Sequence, residues 1–396
     1  MADLSVNFCG NVLKNPIVVS SGEPTGDYEH MVAAIEAGAG GIIAKSVAFT
    51  RELDLSSKKT RFTIIDEDRK VCKKGKYPKM FTLYGRGGIP LEPSDWMHTL
   101  MRVNKVAEKH GALLIGSIAT GPLEEMAETA RRMQESGIKV IELDAGCPQV
   151  TQLGLDDSSM EYIESHQIAG IITEKITSSV DIPVIYKVGA EDKNILETCR
   201  SVRKAGASAV TLINRYVGFL VDIEKGEPHI NTKAGVGGPW VLPLTLRWVS
   251  ESYQNDPEFT ICGSNGAYDW QDAVQFIMAG ASVVQLCSVL ILKGYKVITD
   301  IVDKLNEFMD KHNYENIHEM IGLATKRSKS YEDLYSLVTK ASIDQEKCTK
   351  CKKCLRMCYY NGITAENDIV EITDNCRGCG LCEIACPSEA IKLITK

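Results

Sequence analysis

Eight cysteines near the end of the chain fall into two runs of one spacing. They read Cys348-x-x-Cys351-x-x-Cys354-x-x-x-Cys358 and Cys376-x-x-Cys379-x-x-Cys382-x-x-x-Cys386-Pro387. Three thiolates at i, i+3 and i+6 suit the cube of a 4Fe–4S cluster, and in paired runs the fourth cysteine of each serves the other cluster. Cys348, Cys351, Cys354 and Cys386 are therefore expected around one cluster, and Cys376, Cys379, Cys382 and Cys358 around the second. Zinc would call for two separated Cys or Cys/His pairs. A disulfide framework belongs to short secreted chains. Pro387 follows the second run where Tyr359 follows the first, so a local change of loop, with no lost cluster, is expected there. Such a chain moves single electrons, and the residues before 342 must use them.

Those residues carry a second set of chemically capable side chains, placed at the ends of short apolar runs. Ser20-Ser21-Gly22, Lys45-Ser46, Lys187, Asn214-Arg215 and Cys287-Ser288 each follow such a run. Gly235-Val236-Gly237-Gly238 and Gly263-Ser264-Asn265-Gly266 add glycine-rich turns. Free backbone N–H groups at such turns and at helix starts hold phosphate, so together they predict a phosphate-bearing cofactor. Glu142-Leu143-Asp144-Ala145-Gly146-Cys147-Pro148-Gln149 follows a fourth run and is the central piece. A lone cysteine is usually packing, but Cys147 on a loop at a catalytic face is a candidate nucleophile or acid/base.

The elements that must position these groups are readable. The apolar runs are Pro16–Ser20, Gly41–Lys45, Leu113–Ser117, Val140–Leu143, Val184–Lys187, Ala209–Ile213, Phe259–Cys262 and Val283–Leu286. Amphipathic stretches such as Tyr28–Ala37, Leu123–Ser136, Glu191–Ala205 and Trp270–Ala279 lie between them. Ala-Gly-Ala precedes three runs, at 37–39, 205–207 and 279–281, as a close-packed turn from helix to strand requires. Eight strand–helix units predict an α/β fold, a (β/α)8 barrel, with a doubly wound sheet as the runner-up. Two insertions, Thr50–Met101 and Val217–Pro243, are expected at the C-terminal face. The expected domains are a barrel over 1–316, a linker over 317–341 and a small α+β double-cluster domain over 342–396.

Bulk properties narrow the function. The 396 residues are 44% hydrophobic and 24% charged, ordinary for a globular protein. A net charge of -7 gives no sign of a nucleic-acid partner. The lysines at 347–353 read as a solvated face or a docking surface for an acidic electron carrier. No signal peptide is expected, because MADLSVNFCG lacks an apolar core, and no run is long enough for a membrane span. Fourteen cysteines without an export signal suggest a reducing cytoplasm, and the clusters an anaerobe.

The chain resembles the dihydroorotate dehydrogenase family, in its dihydropyrimidine dehydrogenase branch, over nearly all of 1–396. The resemblance is carried by Asn15-Pro16 with its serine turn, Lys45, Leu143-x-x-x-Cys147-Pro148, Ile182-Pro183-Val184-x-x-Lys187 and Leu212-x-Asn214. The glycines at 235–238, Gly280-Ala281-Ser282-x-x-Gln285-x-Cys287-Ser288 and the ferredoxin-like tail complete it. It implies FMN in the barrel mouth. Ser20, Ser21 and Gly22 would then contact the ring and ribityl chain. Lys45 and Lys187 would hydrogen-bond ring and ribityl groups, and Ser46 would lie near the ring. Gly237, Gly238, Asn265, Gly266, Cys287 and Ser288 would hold the phosphate, and Asn214 would face both flavin and substrate. Cys147 would give or take the substrate proton. Asp144, Gln149 and Arg215 depart from the family's usual residues, as does Gly146, and Gly87-Gly88-Ile89-Pro90 lacks a ring-binding Asn. With Arg86, these suggest a substrate pocket altered from one for plain uracil or thymine, Arg215 either meeting a carboxylate or pairing with Asp144.

The expected function is reduction, or formation, of a C=C bond conjugated to a carbonyl in a small, cyclic substrate. The alternative is a subunit that only relays electrons. No dinucleotide fingerprint follows the first strand, so electrons would come from a ferredoxin or from an NAD(P)H-oxidising flavoprotein subunit. A homo-oligomer or heteromer is expected, with no nucleic-acid or membrane partner.

Overall fold

A computed structural model of the chain describes residues 2–49, 61–72, 75, 78–86, 93–145, 165–335, 337–367 and 369–395. The chain forms two compact units, Met1–Lys326 and Arg327–Lys396. The segment read as a linker is divided between them, with the turn Ile317–Glu319 in the first and the strand Thr339–Ile343 in the second.

The first unit is a closed parallel barrel. Its strands are β1 (Ile17–Val19), β2 (Gly41–Ile43), β3 (Leu113–Ala119), β4 (Ile141–Asp144), β5 (Val184–Lys187), β6 (Ala209–Leu212), β7 (Thr260–Ser264) and β8 (Val283–Leu286). Each pairs with its neighbour in sequence, and β8 returns to β1. Buried on both faces, such strands read as continuous apolar runs, which is why all eight were visible in the sequence. Val19, Ile42, Ile115, Leu143, Ile185, Val210, Val283 and Leu286 are all 0% exposed.

Helices cover the outside. Asp27 caps Tyr28–Glu36 by accepting from His30 N, and Asp269 forms a capping box at the head of Trp270–Ala279. The helix expected from Glu191 begins at Ile195, because the Asn194 side chain caps it there. In the Ala-Gly-Ala turns, Gly38, Gly206 and Gly280 all have left-handed φ, at +99°, +93° and +128°. A Cβ on Gly280 would also enter the Tyr253 ring.

The insertions differ from the sequence reading in one respect. The helix Pro93–Lys109 begins inside the first of them. Beyond that, the two fold as one object. The strands Tyr216–Gly218, Ala234–Gly237, Thr82–Arg86 and Arg61–Ile65 make a four-stranded antiparallel sheet in that spatial order. Its central pairing, Gly235–Gly237 against Leu83–Gly85, joins one insertion to the other. Tyr84, Ile230, Ala234 and Val236 give it a small core, with the Tyr84 hydroxyl donating to Thr232 O.

The second unit is built twice over. Thr339–Ile343 pairs with Ile391–Thr395, and Ile363–Glu366 with Ile369–Ile372, both antiparallel. Short helices Lys353–Met357 and Leu381–Ile384 carry one cysteine each, Cys354 and Cys382, into the core. Among the described residues, no helix is long and apolar enough to cross a membrane.

Candidate functional site

A hollow of about 950 Å³ opens where the barrel strands end. Every strand except β3 supplies lining residues, as the (β/α)8 architecture dictates for its C-terminal face. From β1 come Ser20, Ser21, Gly22 and Glu23; from β2, Lys45 and Ser46; from β4, Asp144. Lys187 extends β5, Asn214 and Arg215 follow β6, and Ser264, Asn265 and Gly266 end β7. Gln285, Cys287 and Ser288 complete the ring from β8. Phe62 and Leu83 reach it from the insertion sheet.

The floor is a buried polar network. Lys187 Nζ lies 3.4 Å from Glu142 Oε1 and donates to Ser20 Oγ at 3.2 Å. Glu142 Oε2 accepts from Thr211 Oγ1 at 2.7 Å and from Gln285 Nε2 at 2.8 Å. Ser20 Oγ in turn donates to Gln285 Oε1 at 2.9 Å. Burial alone would pull the Lys187 pKa down, but the charges of Glu142 and Asp144 outweigh it and hold the ammonium above the usual lysine range. Burial, reinforced by Glu23, pushes the Cys287 thiol up.

A second network fixes the side facing β4. Asp144 Oδ1 accepts from Asn214 Nδ2 at 2.9 Å and Oδ2 from Ser46 Oγ at 3.3 Å. Ser46 Oγ also lies 2.8 Å from Ser117 Oγ and 3.0 Å from Ser21 Oγ. Asn214 Oδ1 accepts from Arg215 N at 2.8 Å. Arg215 Nη1 donates to Gly85 O at 3.3 Å, on the insertion sheet. A Cβ on Gly235 would come within 2.8 Å of Arg215 Cζ, so a glycine there leaves room for the guanidinium. Lys45 Nζ pairs with Glu23 Oε1 at 3.0 Å. Burial alone would raise the Glu23 pKa, but Lys45 and Arg215 draw it below the usual carboxylate range.

The glycine turns approach closely. A Cβ on Gly22 would stand 2.5 Å from Cys287 Sγ. Asn265 and Gly266 have consecutive positive φ of +75° and +115°, a left-handed turn at the end of β7. A Cβ on Gly266 would meet Leu242 N at 2.8 Å. Gly237 and Gly238 do not line the hollow; a Cβ on Gly237 would lie 3.3 Å from Oδ1 of Asn265, which does. The backbone of Arg86 ends the strand Thr82–Arg86. Cys147, Gln149, Gly146 and the segment Gly87–Pro90 lie outside the described residues. The sequence reading missed Glu23 and Glu142. Glu142 had a signal, a carboxylate inside an apolar run, which burial tolerates only when it is partnered. Glu23, next to a glycine turn, had none.

In the second unit, Cys348, Cys351, Cys354 and Cys386 line one hollow of about 320 Å³. Cys358, Cys376, Cys379 and Cys382 line another of about 310 Å³. This is the crossed partition that the spacing called for. Among the described residues, no group of three or more His, Cys, Asp or Glu side chains is placed to hold a metal ion directly. Four thiols around an open hollow instead suit a cluster whose irons stand inside the ring. Gly362 N donates to Cys358 Sγ at 3.2 Å and Ala390 N to Cys386 Sγ at 3.3 Å. The same bond at the same offset closes both runs, so the loop change expected at Tyr359 is absent from this hydrogen bonding.

Comparisons with known proteins agree with this geometry. Residues 92–309 match the dihydroorotate dehydrogenase family, and residues 340–387 match the 4Fe-4S dicluster domain. The chain is 28% identical over 374 residues to the NAD-dependent dihydropyrimidine dehydrogenase subunit PreA of Escherichia coli, covering 91% of this chain and 86% of that protein. It is 28% identical over 330 residues to the catalytic subunit of dihydroorotate dehydrogenase B (NAD(+)) of Thermoplasma acidophilum, covering 82% and 100%. The Pyrococcus abyssi protein of the same name is 29% identical over 324 residues, covering 82% and 99%. With its strand-end residues gathered over a closed barrel and its cysteines in two rings of four, the chain belongs to the dihydroorotate dehydrogenase family and is an oxidoreductase of CH–CH bonds joined to a 4Fe–4S ferredoxin-type domain.

Proposed function

We propose that the barrel mouth holds FMN and that the chain reduces, or forms, a C=C bond conjugated to a carbonyl in a small, cyclic, anionic substrate. The carrying observation is the ring of polar residues drawn from every strand but β3 around one hollow. The donor set fits the cofactor. Lys187 and Lys45 offer cations to the ring and ribityl groups, and the Asn265–Gly266 turn with Cys287 and Ser288 offers a cradle for the phosphate. When bound, FMN supplies hydride transfer and accepts or gives electrons singly. Cys147, three residues beyond Asp144, moves the proton at the carbon next to the carbonyl.

Substrate choice rests on three residues. Asp144 takes one of the two Asn214 amide N–H donors and Arg215 N occupies the Asn214 side-chain carbonyl, so less of that amide is left to read a pyrimidine edge. Arg215 bonds to Gly85 O rather than to Asp144, and it lines the hollow as a cation. A carboxylate is the group an arginine fork suits. Electrons enter through the 4Fe–4S domain from a separate carrier or flavoprotein subunit in the cytoplasm.

The test uses anaerobically reduced holoprotein and a panel of uracil, thymine, orotate, carboxylated enones and unsaturated cyclic amides. Flavin reoxidation by an anionic member, with poor reaction of uracil, supports the proposal. Uracil turning over at ~10⁴ M⁻¹s⁻¹ or more would overturn the substrate assignment. No reoxidation by any member would favour the relay reading.

A further inference from the structure

The two halves of the 4Fe–4S domain share a backbone but not a charge. Lys350 has φ +57° where Gly378, at the same offset in the second run, has φ +65°. Lys352 has φ +57° where Gly380 has φ +82°. The left-handed region is free to glycine and costly to a residue with a Cβ. The fold therefore asks for glycine at both offsets, and the first half has lysine at both. Residues 347–356 hold Lys347, Lys350, Lys352, Lys353 and Arg356 with no carboxylate, whereas 375–384 hold Arg377 and Glu383. All five cations of the first stretch are exposed, and so is Cys351 among them. Over 327–396, 11 basic residues stand against 10 acidic ones, so the five are a local concentration and not a reflection of overall charge.

We infer that this face, over the ring of Cys348, Cys351, Cys354 and Cys386, is the docking surface for an acidic single-electron carrier protein. Lysines placed against backbone preference serve something other than the fold, and cations at a surface steer and hold an anionic partner. The inference rests on the reading of that ring as a cluster site, which iron content and the EPR signal of the reduced protein check separately.

The experiment measures binding of an acidic plant-type 2Fe–2S ferredoxin to the anaerobic holoprotein across a salt series. The variant Lys347→Gln/Lys350→Gln/Lys352→Gln/Lys353→Gln is compared with Lys296→Gln/Lys304→Gln/Lys311→Gln on the barrel helix Lys296–His312. Expected are a rise in Kd of ~10-fold or more at low salt and a flatter salt dependence for the first variant only, with iron content and EPR signal retained. An unchanged Kd, an equal loss in the barrel-helix variant, or equally tight binding of an anionic lipid vesicle would overturn it. A shifted cluster potential with unchanged Kd would also overturn it, since the lysines would then tune the cluster and not the partner.

Discussion

Glu142 is the residue on which the floor of the pocket turns. It is 0% exposed and touches Lys187, Thr211 and Gln285. Glu142→Gln leaves a buried ammonium without its counter-charge, which costs ~3–5 kcal/mol and is read as a lower Tm of the holoprotein. The pH dependence has a definite sign. Lys187 titrates above its ordinary value, so its stabilisation is complete below roughly pH 10.4 and is lost as pH rises through the higher folded pKa. In Glu142→Gln, burial draws the folded Lys187 pKa below its unfolded value, so the alkaline loss disappears and stability instead rises as pH climbs from the lowered pKa toward roughly 10.4. A variant with the parent's alkaline profile would show that Lys187 draws its charge stabilisation elsewhere. Two further substitutions test the proposed chemistry. Cys147→Ala keeps FMN but slows turnover by roughly 10²–10⁴-fold, and full activity would shift the proton role to Asp144. Arg215→Thr raises KM for an anionic substrate and leaves that for a neutral one unchanged, a split visible in steady-state kinetics.

At the scale of elements, a close approach in the pocket wall joins the turn after β1 to the start of the helix after β8. Gly22 has an extended backbone that any residue could adopt, so only space excludes a side chain. Gly22→Ala should drive its Cβ into Cys287 Sγ and reduce the FMN retained on purification, while Gly22→Ala/Cys287→Ala should recover it. Absorbance at the flavin maximum per chain is the measure, and an FMN-replete single variant would show that the turn can yield. The eight strands were legible because each is a short run buried on both faces, and the polar residues just past their ends pointed to the mouth. The insertion sheet was not legible. Arg61–Ile65 is mostly half-buried, with one exposed and one buried residue, so it shows no strong alternation. Thr82–Arg86, its neighbour, finds its other partner in Ala234–Gly237 far along the chain, where no local pattern reveals it. Glu23 escaped for the same reason, since its meaning comes from Lys45 and Arg215 across the pocket.

At the scale of the whole molecule, the proposed clusters in the two rings of four cysteines and the proposed FMN in the barrel mouth define a cofactor load that can be counted. Anaerobic preparations should carry about eight irons and about one FMN per chain. Zinc in place of iron would refute the assignment of the rings. The shared sheet has a different kind of consequence. Two segments inserted after β2 and after β6 donate adjoining halves of one hydrogen-bonded surface, joined at Gly235–Gly237 and Leu83–Gly85. Neither can be shortened, grafted or exchanged by itself. Removing 61–86 would strip the edge of Ala234–Gly237 and leave its N–H and C=O groups open to another chain, and it would take away the carbonyl that holds Arg215. In this protein the lengths of the two loops are a single trait, and a change of substrate written into one must be answered in the other.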